Sequence, residues 1–208
     1  MQSDNRAGHL PIFEKLLASF RIHSVLEFGM GNSSTPFFLE RCGIVVSIEQ
    51  DSQERYDRLT AGQDKPNWEP FFECNPARVF EHFEGRNRQF DLVFCDGAPE
   101  TRYLVTNLAM RKNIPFIALH DGEEIWRYRW HLLDIPPAYY RFNFRRRSDG
   151  KVTSIIANAG REAIDKWDLP EYDKVIHAYT SPRQPVFEVQ LKRGEQGPEP
   201  DVTRRISP

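Results

Sequence analysis

The sequence holds no apolar run near the ~20 residues needed to span a bilayer, and its first residues lack the basic-then-apolar pattern of a secretory signal. A membrane-embedded or exported protein is therefore not expected, and a cytoplasmic one is. Cysteine is scarce: Cys42, Cys74 and Cys95 are odd in number and lack metal-ligand spacing. That argues against a disulfide framework or a zinc site and favours reduced, buried thiols. An excess of one charge is missing too. The formal net charge of −2 gives no global attraction to nucleic acid or to an anionic membrane. No internal repeat and no second-domain boundary interrupt the chain, and 208 residues suffice for one sizeable core.

Against those absences stands the stretch Ser24-Val-Leu-Glu-Phe-Gly-Met-Gly-Asn-Ser-Ser-Thr-Pro36, followed by Val45-Val-Ser-Ile-Glu49. A short apolar run ends in an acid and two glycines, and a helix signal follows at once. A second apolar run then ends in another acid, Glu49. This is the layout of a nucleoside-binding βαβ unit. Gly29 and Gly31 permit positive φ and close approach of a ligand to the backbone. Thr35 has the character of an N-cap, with Pro36 at the first helical position. The helix would aim free N–H groups and its positive dipole end at the glycine turn. Glu49 lies roughly 20 residues beyond the glycines, where such folds place an acid on ribose hydroxyls.

A dinucleotide fingerprint requires a third glycine where Ser34 stands, and a carboxylate at Glu27 would repel a pyrophosphate. The run Glu27-Phe-Gly-Met-Gly31 instead resembles the acid-x-Gly-x-Gly first motif of class I S-adenosylmethionine-dependent methyltransferases. The resemblance covers residues 10–158. It implies a doubly wound, mostly parallel, seven-stranded Rossmann-like sheet with a C-terminal antiparallel hairpin. It further implies S-adenosylmethionine as cofactor, with Glu27, Gly29, Gly31 and Ser34 around its methionine end and Glu49 at its ribose. Asn75 would stand near the adenine, and Asp96 beside the transferred methyl and the acceptor. Magnesium is a weaker expectation: some members hold it with carboxylates after the fourth and fifth strands, where Asp96 and Asp121 stand. Gly122 replaces the second polar residue usual there.

Helix and strand patterns alternate as such a sheet requires. Leu10, Phe13, Leu16, Leu17 and Phe20 form a helical stripe. Strands are expected at 25–28, 44–48, 71–74, 90–95 and 116–119, and helices at 36–41, from the Asp51 cap through 59, at 77–83 and at 100–112. Residues 61–70 read as a loop. Asp51 with Glu54, and Asp121 with Glu124, have capping-box spacing; the second pair predicts a helix through residue 133, with Trp126, Trp130 and Leu133 on one packed face. Residues 139–147 and 152–158 flank a glycine turn at Ser148-Asp149-Gly150. Residues 161–193 allow a last helix and an edge strand at 185–191. The domain is thus expected to run to residue 193, with 194–208 a charged, proline-containing tail.

Catalytic candidates are few, because methyl transfer from a sulfonium asks mainly for positioning. His120 and Asp96 are the candidates at strand ends. A histidine beside an acceptor can take a proton from a hydroxyl or amine, and the alternative for His120 is a packing role. Arg127, Arg129, Arg141, Arg145, Arg146, Arg147 and Lys151 concentrate positive charge late in the chain. They read as a guarded strand edge or as a site for an anionic acceptor, a small metabolite before RNA. Competing functions are a nicotinamide-dependent oxidoreductase on the same βαβ unit and a non-catalytic nucleoside-binding module.

Overall fold

The computed structural model describes residues 8–177 and 189–190. Its centre is the strand Ser24–Phe28 (β1), flanked by parallel Ile44–Glu49 (β2) and Leu92–Cys95 (β4). Trp68–Phe72 (β3) closes one edge beyond β2, and Phe116–Leu119 (β5) lies beyond β4. Tyr140–Arg146 (β6) and Val152–Ala157 (β7) form the antiparallel hairpin, with β7 beside β5. The expected seven-stranded frame is present in the order β3-β2-β1-β4-β5-β7-β6. Tyr172–His177 (β8) and the two-residue Val189–Gln190 (β9) extend it to nine strands. The rest of the expected 185–191 strand, and the expected tail at 194–208, lie outside the described residues.

Both faces of the parallel strands are buried, and alternate side chains feed two cores. Leu26, Phe28, Val46, Ile48, Val93 and Ile117 pack on one face beneath Pro76–Glu84 (α4) and Arg102–Arg111 (α5). Val25, Val45, Leu92, Phe94 and Ala118 pack on the other with Leu10–Ser19 (α1) and Ser34–Arg41 (α2), as period-two alternation requires. The short helices Gln53–Thr60 (α3) and Arg161–Asp165 (α6) complete the set. Among the described residues no helix is long and apolar enough to cross a membrane.

Several local expectations are corrected. The α2 helix begins at Ser34 with Ser33 as its cap residue, so Thr35 is inside it. Ser52, not Asp51, caps α3 by accepting the Arg55 N–H at 3.1 Å. β3 starts three residues early and runs through Pro70; it is an edge strand, where proline's missing donor is tolerated. The helix expected after Asp121 does not form. Asp121 and Arg129 both have left-handed backbones (φ 53° and 55°), and only a 3-10 turn, Trp130–Leu132, interrupts the loop. Trp130 and Leu133 are buried, whereas Trp126 is 79% exposed. Trp126→Ser is accordingly expected to change unfolding free energy by no more than about 0.5 kcal/mol, as denaturant titration would check.

The basic cluster is largely committed to the fold. Arg141 is buried and donates to Asn143 Oδ1 at 2.9 Å and to Ser154 Oγ. Arg146 pairs with Asp149, and Arg147 with Asp173 at 2.9 Å. Lys151 bridges Asp121 at 3.3 Å and Glu123 at 3.0 Å. These pairs fix the hairpin and leave little of its charge for an anionic acceptor.

Candidate active site

The parallel strands end on one side of the sheet, and the chain leaves β1 for β2 on one flank and β4 for β5 on the other. Open α/β sheets bind ligands at such a reversal. Here it holds a cleft of about 460 Å³ lined by Gly31, Asn32, Ser33, Ser34, Arg55, Arg58, Leu59, His9, Asp96, His120 and Asp121.

The glycine turn forms one wall. Gly29 has φ +92°, and a Cβ there would stand 2.4 Å from the Asp96 carbonyl oxygen. Glycine is therefore required by the protein's own backbone, which brings the turns after β1 and β4 into contact. Beneath the turn, Glu27 is wholly buried because β1 is covered on both faces. It accepts hydrogen bonds from Ser34 Oγ (2.5 Å), Thr35 Oγ1 (2.6 Å) and Ser47 Oγ (2.8 Å). Thr35 Oγ1 also accepts the Gly31 N–H at 3.0 Å. Burial pushes the Glu27 carboxyl up to about 7, and the three hydroxyls only partly offset this. Glu27 and Ser34 thus brace the turn from below rather than line it as a pair.

Glu49 and Gln50 end β2. Glu49 Oε1 accepts the Asp51 N–H at 2.8 Å, and Oε2 faces Arg55 Nε at 3.3 Å without a hydrogen bond. The same guanidinium donates to the Met30 carbonyl at 2.8 Å. Arg55 therefore ties Glu49 to the glycine turn and covers it. Gln50 reaches across to the turn after β4, accepting from Ala98 N–H (3.3 Å) and Thr101 Oγ1 (3.2 Å), while its buried Nε2 has no partner. One buried acceptor met only by the Arg55 ion pair, and one buried donor with no hydrogen-bond partner among the described residues, stand beside a helix start; this set fits a zwitterionic nucleoside. Asn75 is not in this cleft's lining; it caps α4, accepting the Ala77 N–H at 2.9 Å.

The far wall is an ion cluster. His120 Nδ1 lies 3.1 Å from Asp96 Oδ1 and 3.4 Å from Asp121 Oδ2. Burial alone would lower the imidazole's pKa, but hydrogen bonds and charge from Asp121 and Asp96 outweigh it and hold it at about 9. At neutral pH His120 is thus a cation and a donor. Burial would raise Asp121; the His120 contact, Tyr128 and Arg102 instead hold it far below the usual carboxylate range. Arg102, nearly buried on α5, spans both acids: Nη2 to Asp96 at 3.0 Å and Nη1 to Asp121 at 3.5 Å.

That guanidinium decides the magnesium question. Asp96, His120 and Asp121 stand close enough together to share an ion. Their carboxylates already have Arg102 between them, and Lys151 takes the second oxygen of Asp121. Organic cations supply the charge that a dication would bring, so the residues as placed do not fit a metal.

Gly31, Ser34, Asp96 and His120 are thus brought together, with Glu49 joined to them through Arg55. Arg55, Gln50, Arg102 and His9 escaped the sequence reading. Nothing in their local pattern marks them, because each becomes notable only through contacts distant in sequence.

The strand order and the closing antiparallel hairpin define the class I S-adenosylmethionine-dependent methyltransferase fold. No family model matches the chain, and no curated protein matches it either. Among solved structures it is similar to an O-methyltransferase from Bacillus cereus in complex with SAH, with TM-score 0.56 and 16% identity over 72% of this chain and 81% of that one. Wild-type Trm5b from Pyrococcus abyssi superposes less well, with TM-score 0.37 and 12% identity over 69% of this chain and 47% of that one.

Proposed function

We propose that this chain is a cytoplasmic S-adenosylmethionine-dependent methyltransferase acting on a protic small-molecule acceptor, folded as one domain through residue 193. The observation that carries the reading is the pairing of the braced glycine turn with Oε2 of Glu49, which accepts no hydrogen bond among the described residues and is held only by its ion pair with Arg55, itself bonded to the turn. S-adenosylmethionine supplies an already activated methyl sulfonium, so the protein's task is to bind, orient and exclude water.

In this reading Gly29, Gly31 and Ser34 shape the seat of the methionine end, with Glu27 holding that seat rigid. Glu49 accepts from the ribose hydroxyls after Arg55, a half-exposed and movable side chain, swings off Oε2. Asn75 fixes the start of α4 behind the adenine end. Asp96 faces the cofactor's reactive end and holds His120 Nδ1, leaving His120 as a charged donor at the acceptor end.

Calorimetric titration with SAH and, in parallel, with NAD tests the reading. SAH is expected to bind and NAD to bind far more weakly; a preference for NAD would replace the methyltransferase by an oxidoreductase. Glu49→Ala should weaken SAH binding by about 1–3 kcal/mol, the worth of hydrogen bonds to a charged acceptor. Unchanged affinity removes Glu49 from the site.

A further inference from the structure

We propose that His9 is the acceptor-binding residue of the cleft, a ring nitrogen of its neutral imidazole accepting the hydrogen bond of a hydroxyl group on the molecule to be methylated. The inference rests on the methyltransferase reading and names the substrate class of the same site.

His9 is 3% exposed, lines the cleft beside His120, and has no hydrogen-bond partner at Nδ1 or Nε2 among the described residues. Buried polar atoms are nearly always paired, so an imidazole in the cleft wall with both nitrogens buried and unbonded marks a place where a ligand completes the bonding. Its ring is wedged among Phe13, Phe94 and His120, at centroid distances of 5.1, 5.3 and 5.1 Å. The backbone is pinned as firmly. The His9 carbonyl accepts the N–H groups of Ile12 and Phe13 at 3.2 and 3.1 Å, starting α1. Tyr172 donates to the Gly8 carbonyl at 2.5 Å, and the Arg146 guanidinium packs so closely on Gly8 that a Cβ would meet it at 2.6 Å. The imidazole is therefore in place before any ligand arrives, which limits the ordering cost of binding.

The other polar groups in this corner are engaged. Asp96 is held by Arg102 and His120; Asp121 by Arg102, His120, Tyr128 and Lys151. His120 is itself the cation between the two acids. Burial, and next the His120 charge, depress the His9 pKa to about 4, with Arg146 adding to this and Asp96 and Asp121 opposing it. The ring is thus uncharged throughout the physiological range and able to accept. An ammonium group would enter against the His120 imidazolium, while the charge of Asp96 and Asp121 is already met by Arg102, His120 and Lys151; a hydroxyl meets no such repulsion.

The test uses full-length protein saturated with SAH, with phenol as hydroxyl probe and benzylamine as amine probe, read by histidine ring 15N shifts and by calorimetry. Phenol is expected to move the unprotonated ring nitrogen of His9, and benzylamine to leave it in place. His9→Phe, which keeps the ring packing, should weaken phenol binding at least tenfold with SAH affinity within twofold. His9→Gln, which restores an acceptor, should recover part of the loss. If His9→Phe does not fold, the wild-type 15N shift decides alone. Phenol binding equally well to a folded His9→Phe, failing to bind the wild type, or leaving the His9 signal unmoved overturns the inference, as does an equal response to benzylamine. Absence of SAH binding to the wild type instead overturns the methyltransferase reading, and this inference with it.

Discussion

Arg102→Ala is expected to lower the unfolding free energy by about 3–5 kcal/mol, the range for deleting one partner of a buried ion pair. The guanidinium does more than neutralise Asp96 and Asp121. Its Nε donates to the Gly97 carbonyl at 2.8 Å and Nη1 to that of His120 at 3.2 Å, and it stacks on Tyr128 at 3.9 Å. Truncation would leave two carboxylates facing each other with only His120 and Lys151 between and beside them. Arg102→Lys should recover little, since an ammonium cannot present a planar fork to two acids and two carbonyls. Denaturant melts of the three proteins provide the measurement. A loss below about 1 kcal/mol, typical of an exposed pair, would show that the cluster is solvated and that the case against a metal there fails.

The second large effect concerns Glu27 and pH. Its pKa is raised from 4.5 to about 7, so the folded protein binds this proton more tightly than the unfolded chain does. The associated stability is complete below about pH 4.5 and is lost as pH rises through about 7. At about 1.4 kcal/mol per pH unit the swing is on the order of 3–4 kcal/mol. Glu27→Gln keeps the shape without the charge and should abolish this part of the decline. Between pH 5 and pH 8 the variant is expected to lose markedly less stability than the wild type. His120 titrates in both proteins, losing its contribution as pH rises through about 9, so comparing the two isolates Glu27. Parallel curves for the two proteins would mean that Glu27 is hydrated or already ionised. Glu27→Ala should cost about 2–4 kcal/mol at either pH, through a cavity and three hydroxyls left without an acceptor, and should loosen the glycine turn.

Much of the frame is legible in the sequence. Apolar runs such as 44–48 and 116–119, too short for buried helices, read as strands covered on both faces, and glycine at 150 marks a hairpin, where the backbone indeed has φ +74°. The misreadings have local physical causes. Asp121 and Glu124 have the spacing of a capping box, but a left-handed backbone at Asp121 sends its carboxylate to Tyr128, Arg102 and Lys151 instead. The residues of β8 carry no strong alternation, and their strand exists because the β6 edge offers them a ladder.

The chain by itself determined the central buried strands, that a glycine turn joins the first of them to a helix, and that acids stand at strand ends. Those follow from side-chain periodicity and backbone sterics, which act over a few residues. Only the tertiary structure decided that Glu27 lies under the turn, that Arg55 covers Glu49, that Arg102 stands between two acids, and that His9 joins the cleft. Each of these depends on segments far apart in sequence meeting at the sheet's edge, where burial and neighbouring charge set what a side chain can bind.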